Sequence, residues 1–183
     1  FIYIMNQFIK ILKIKKIPNV SWRSEYSLNF KPNLKTLIYL IFGLFLFGLG
    51  ETLLLASGGG VSPWTVLAEG ISIYTKYSIG WCTLWISLTV LILWIPLKQK
   101  PGIGTILNAI IIALVLDVTL PYLPNPENYG FKILQIIVGV LITGLGSGFY
   151  LISNLGPGPR DGLMTGIQKI TNKPIALVRS TIE

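Results

Sequence analysis

The chain has 183 residues, 52% of them hydrophobic and 12% charged, with a mean hydropathy of +0.68 and a formal charge of +8. A soluble domain needs more charge than this to cover its surface, so that class is excluded. The absence of histidine and the single cysteine, Cys82, exclude an internal disulfide, Ser-His-Asp and Cys-His nucleophile pairs, histidine-containing zinc sites and a histidine pH switch.

Residues 1–35 read as a basic cytoplasmic leader. Lys10, Lys13, Lys15, Lys16, Arg23, Lys31 and Lys35 all precede the first apolar run. Beside a membrane span such a cluster marks the cytoplasmic face and touches anionic lipid, which is the reading taken here over nucleic-acid binding. Phe8, Ile9, Leu12 and Ile17 can line one face of a helix lying on the bilayer surface, within limits set by Pro18 and Pro32. No small-residue cleavage site follows, so no removable signal peptide is expected.

Residues 36–183 read as the membrane domain. Long apolar runs predict an all-α, polytopic helix bundle, and the length suits about five spans of roughly 20 residues. The first span is predicted over residues 37–56 and carries Glu51. Gly58-Gly59-Gly60-Val61-Ser62-Pro63 breaks it. Ser62 is placed to cap a new helix, with Pro63 at its first position. That helix, over residues 64–74, is too short to cross a bilayer. A second span is predicted over residues 79–97, with Trp81 and Trp94 in the aromatic belts at its ends. Lys98, Lys100 and Gly102 make a polar turn before a third span over residues 103–120, which holds Asn108 and Asp117. A loop rich in proline and asparagine leads to a fourth span over residues 131–152. After Gly156-Pro157-Gly158-Pro159-Arg160-Asp161-Gly162 comes a second short helix, ending near Thr171, and a fifth span opens at Ile175.

Shifted by 96 positions, the sequence matches itself without a gap. Gly43 meets Gly139, Gly48-Leu49-Gly50 meets Gly144-Leu145-Gly146, Gly60 meets Gly156, and Pro63 meets Pro159. Between residues 41 and 79, 14 of 39 pairs are identical, where this composition gives roughly 3 or 4 by chance. Glycine and proline coincide where the chain must break, so backbone geometry recurs as well as apolar character. The first unit, about residues 36–120, holds three spans and a short helix. The second, about residues 132–183, reads as truncated. Three is odd, so the second unit is expected to enter the membrane from the opposite side. With the leader inside, the inner segments carry twelve Lys and Arg, and the outer ones carry Lys76 and Lys132. The expectation is an inverted-topology repeat with short broken or re-entrant helices, and transport sites lie at the interface of such repeats.

Gly60-Val61-Ser62-Pro63-Trp64, the stretch Trp94-Ile95-Pro96-Leu97 followed by Pro101-Gly102-Ile103-Gly104-Thr105 and Asn108, and Leu155-Gly156-Pro157-Gly158-Pro159-Arg160-Asp161-Gly162-Leu163-Met164 resemble the YczE/YitT-type family of bacterial membrane proteins. The resemblance spans residues 37–183 and leaves the leader uncovered. It implies a multi-pass protein of the bacterial inner membrane and brings no substrate or reaction with it.

The residues that can carry chemistry are few. Pro159 starts a helix whose amides can hold an anion, with Arg160 as a charged donor. The plainer reading is a structural helix start in which Arg160 pairs with Asp161. Glu51 lies deep in a span among Gly48, Gly50 and Thr52, where an ionisable group faces a bundle interior or cavity. Asp117 sits near a helix end, within reach of water. Arg179 and Glu183 are spaced to pair along one helix face. Gly144 and Gly148 form a Gly-xxx-Gly pair suited to close packing. The two Gly-Pro loops are expected to dip toward each other and line a cavity with Gly60, Ser62, Gly156, Gly158 and Arg160, near Glu51 and Asp161. The leading expectation is a secondary transporter or permease for a small solute, with no metal, cofactor or nucleic acid. A non-transporting membrane protein that assists or regulates partners is the alternative. Missing hydrolytic constellations and phosphate loops argue against an enzyme.

Overall fold

A computed structural model describes residues 20–183. The surface helix expected around Phe8, Ile9, Leu12 and Ile17 lies outside the described residues. Seven α-helices and one 3-10 turn make up the described fold, and no strand occurs among the described residues. Helix α1 is Leu34–Ser57 and α5 is Tyr129–Ser153, of 24 and 25 residues. At ~1.5 Å per residue both exceed the ~30 Å hydrocarbon layer. Helix α4, Ile103–Thr119, runs on through the 3-10 turn Leu120–Tyr122, and the 20 residues together are also long and apolar enough to span. Helices α2, Pro63–Thr75, and α3, Ile79–Leu93, bend by 117° at their junction. Helix α6 is Pro159–Thr171 and α7 is Ile175–Ile182.

The distribution of polarity is that of a protein in lipid. Ile133, Ile137, Val140 and Leu141 on α5, and Ile38, Phe42 and Phe45 on α1, are exposed. Glu51, Thr52, Thr65, Thr83, Ser87, Thr105 and Asn108 are buried. A water-soluble fold would carry the reverse pattern. Hydrocarbon outside leaves polar side chains only the interior as a place to find partners. Thr52, for example, donates to the Gly48 carbonyl at 2.7 Å and accepts from Thr119 at 3.1 Å.

Helices α1 and α5 run antiparallel, and glycines let them approach. A methyl group at Gly146 would lie 2.6 Å from the Gly43 carbonyl oxygen, and one at Gly50 would lie 2.8 Å from that of Gly139. Gly139 and Gly146 are the offset-96 counterparts of Gly43 and Gly50. The contact is therefore reciprocal, as at a two-fold interface. Gly144 and Gly148 have nothing within 4 Å of an added methyl, so the packing expected of that pair falls to Gly139 and Gly146 instead. Gly146 is on the face turned to α1, and its neighbours two positions away are not.

The backbone recurs along with the sequence. α2 and α6 each have 13 residues and begin on a proline. The left-handed residues that end the preceding long helices are counterparts, Gly58 at φ 59° and Asn154 at φ 53°. So are Lys76 at φ 62° and Asn172 at φ 53°, which end the short helices. Ser57 and Ser153 each donate to the carbonyl three residues back, at Leu54 and Tyr150.

Two expectations are corrected. The span predicted over residues 79–97 is helical only to Leu93, and residues 94–98 form turns. Pro96 offers no amide to continue the ladder, and Lys98 turns left-handed at φ 52°. Trp94 is not in an aromatic belt. It is 2% exposed, and its indole N–H donates to the Pro159 carbonyl at 3.0 Å. Gly162 leaves the space its ring fills. Trp81, in contrast, is exposed as a belt residue should be.

Candidate functional site

Three segments converge below the first turn of α6. The Thr105 hydroxyl on α4 accepts from the Gly102 amide at 3.2 Å and donates to the Pro157 carbonyl at 2.7 Å. The Gly104 amide donates to the Leu155 carbonyl at 2.8 Å. Gly156, at φ 110°, lies where a methyl would meet the Thr105 hydroxyl at 2.7 Å and the Gly102 Cα at 3.1 Å. The start of α4 thus holds the Gly-Pro-Gly-Pro loop, and Trp94 holds the helix that follows it.

These restraints bring the two Gly-Pro breaks together. Ser62 caps α2, accepting from the Thr65 amide at 3.4 Å. The Thr65 and Ser62 hydroxyls donate to Glu51 Oε2 at 2.8 and 3.2 Å. From the other unit, Arg160 Nη1 reaches the Ser62 Oγ at 3.5 Å, and its guanidinium lies 5.7 Å from the centre of the Trp64 ring. Ser62 stands between a buried carboxylate and a guanidinium.

Arg160 does not pair with Asp161. Asp161 accepts a hydrogen bond from the Tyr150 hydroxyl. Arg179–Glu183, at 3.0 Å, is the single ion pair among the described residues, and its i,i+4 geometry is the one expected. The plainer account of Arg160 as half of a local charge pair is therefore set aside: consecutive residues on a helix do not face each other. Asp117 is corrected too. It accepts from the Ser78 hydroxyl at 2.5 Å and the Gly80 amide at 2.7 Å, so it caps the positive end of α3 rather than only reaching water.

A cavity of about 280 Å³ opens at this junction. Its wall includes Glu51, Ser62, Gly158, Arg160 and Asp161. Gly60 and Gly156 fall outside it: Gly60 is exposed, with open space where a methyl would stand, and Gly156 is spent on packing against α4. Asn108, noted in the third span, joins the wall, and residues not singled out from sequence complete it, among them Ser147, Tyr150, Thr83 and Ser87. The offset of 96 identifies several of them. Phe47 and Thr143, Glu51 and Ser147, Ser62 and Gly158, Trp64 and Arg160, Thr83 and Arg179, and Ser87 and Glu183 are all counterparts, and both members of every pair line the cavity. The cavity sits between equivalent positions of the two units. No group of three or more metal-ligating side chains occurs among the described residues.

Apolar helices facing outward around a polar interior define the class: a multi-pass membrane protein built as an all-α bundle. A model of a family of unknown function, DUF6198, matches residues 34–183. The chain is 42% identical over 171 residues to an uncharacterized protein of Haemophilus influenzae, covering 93% of this chain and 78% of that one. It is 31% identical over 148 residues to the uncharacterized membrane protein YczE of Bacillus subtilis, covering 80% of this chain and 66% of that one. It is 26% identical over 149 residues to the uncharacterized protein YyaS of the same organism, covering 79% and 74%. No solved structure matches the chain. The protein belongs to the YczE-type DUF6198 family.

Proposed function

We propose that this chain is the solute-binding core of a secondary transporter or permease-like protein for a small solute, built as an inverted-topology repeat with its N-terminus in the cytoplasm. One observation carries the reading: the cavity is walled by counterpart residues from two units whose long helices run antiparallel. Alternating access works by rocking one such unit against the other around a site at their interface. The volume, about 280 Å³, falls just below the roughly 300–1,000 Å³ of drug-sized sites, which favours a small solute. The Lys and Arg bias supports the orientation.

The test needs no knowledge of the solute. Cys82 is the single cysteine and is buried. In a Cys82→Ser background, Ser147→Cys places a thiol on the cavity wall. A membrane-impermeant maleimide should label it from either face of sealed vesicles. Labelling from one face alone overturns alternating access. The second reading, a membrane protein that assists or regulates partners, is favoured by the open face of α5 at Gly144 and Gly148.

A further inference from the structure

We infer that the cavity selects a small zwitterion, a solute carrying an ammonium and a carboxylate, with the ammonium on Glu51 and the carboxylate on Arg160. This rests on the solute-site reading above and names the class of solute. The warrant is an inventory of hydrogen-bonding capacity. Both hydroxyl donors to Glu51 reach Oε2, and among the described residues none donates to Oε1. Glu51 is 5% exposed, so the cavity is the place where Oε1 can find a partner. A guanidinium has five N–H donors, and among the described residues Arg160 uses one, at 3.5 Å to Ser62. The Trp64 indole N–H is buried beside it with no acceptor among the described residues. On either side of Ser62, Glu51 therefore lacks a donor, and Arg160 and Trp64 lack acceptors.

Charge selects between the ligands that can fill these gaps. A lone anion on Arg160 would share the cavity with Glu51, Asp161 and Glu183, and Arg179 is already committed to Glu183. A lone cation on Glu51 would face Arg160. The anion would leave Glu51 without its missing donor and deepen the excess of carboxylates on the wall, which is costly at membrane depth, and the cation would leave the free N–H donors of Arg160 and the Trp64 indole unfilled. A zwitterion fills both gaps and adds no net charge. A carboxylate matches the guanidinium fork, and the cation–π contact with the Trp64 ring, 5.7 Å from its centre, restrains where the Arg160 guanidinium lies.

The experiment is a binding measurement on the purified full chain in detergent, by calorimetry. The probes are the standard amino acids and β-alanine, each tested with its counterpart lacking the ammonium group and its counterpart lacking the carboxylate. For alanine those are propionate and ethylamine. At least one zwitterion should bind, and both of its counterparts should bind at least tenfold more weakly. Glu51→Gln should erase the advantage over the carboxylate counterpart, and Arg160→Gln the advantage over the amine. The probe series on the unaltered protein stands even if a variant fails to fold. If no zwitterion binds, or if a carboxylate or an amine alone binds as well, the inference is overturned. Zwitterion binding without two-sided labelling of Ser147→Cys would defeat transport and keep this inference. Two-sided labelling without zwitterion binding would do the reverse.

Discussion

Helices α2 and α6 share length, starting proline, end geometry and position in their units, yet differ in what they do. The first turn of α2 presents Trp64 and Thr65, and that of α6 presents Arg160 and Asp161. Helix α2 buries Thr65 and Ala68, whereas α6 buries Pro159, Gly162, Leu163, Met164 and Gly166. What recurs between the two helices is a backbone path. Glycine, proline and left-handed caps keep that path, and the side chains facing the cavity are free to diverge. The start of α2 contributes an aromatic ring and hydroxyls, that of α6 a guanidinium and a carboxylate. A recurring backbone path thereby surrounds a cavity whose lining is asymmetric.

The sharpest way to break the comparison is to release α6 alone. Trp94 packs into the space at Gly162, and the α2 counterpart of Gly162 is Val66, which is exposed. Trp94→Ala should cost about 3–5 kcal/mol, the usual range for emptying a buried aromatic site. A thermal melt of the detergent-purified protein should show the loss. Limited proteolysis should cut first within residues 154–174 and leave α2 intact. Equal cutting at both short helices would mean that Trp94 does not hold α6 selectively.

The seam between the units should behave symmetrically where the short helices do not. Gly50→Ala and Gly146→Ala are counterpart substitutions at backbone contacts of similar closeness. Each should cost about 1–3 kcal/mol through overpacking, and the two losses should agree. Gly144→Ala, at an open position, should cost nothing measurable. Unequal losses at Gly50 and Gly146 would remove the reciprocal contact from the account.

Next comes the wiring of the α6 first turn. Because Asp161 is bonded to Tyr150 and Arg160 is not, Asp161→Asn and Tyr150→Phe should each lose about 1–3 kcal/mol and couple strongly in a double-mutant cycle. Arg160→Ala should show no rescue by Asp161→Asn. Rescue would restore the local charge pair. The smallest effect is expected at α3, where Asp117→Asn keeps the shape but drops the charge at the helix start. A loss of about 0.5–1 kcal/mol in the same melt is expected.

Much of this was legible in the residues because it is written in local backbone chemistry. A span that stops at Gly58, a cap at Ser62 and a helix opening at Pro63 depend on neighbours in sequence, and so do their counterparts 96 positions on. The reciprocity of the units follows from the same signals. What was not legible depends on partners far along the chain. Nothing near Trp94 announces that its indole will meet the Pro159 carbonyl, 65 positions away. An aromatic residue at the end of an apolar run has the same sequence signature whether it faces lipid headgroups or a neighbouring helix. Arg160 and Asp161 look like a pair because they are adjacent, but adjacency on a helix separates side chains by about 100°. Gly144 and Gly148 fit a spacing rule that says nothing about which face a helix turns toward its partner.

The segment before α1 gives the seam an optical handle. The Trp22 indole stacks 4.6 Å from the Tyr39 ring on α1 and 6.2 Å from the Phe149 ring on α5, and those two rings lie 6.2 Å apart and nearly parallel. One fluorophore therefore rests across both units. Sliding α1 along α5 must change what the indole stacks against and how much water reaches it. Taken as the difference from a Trp22→Phe control, which leaves Trp64 and Trp94 in place, the emission colour of Trp22 becomes a continuous gauge of how α1 and α5 sit against each other.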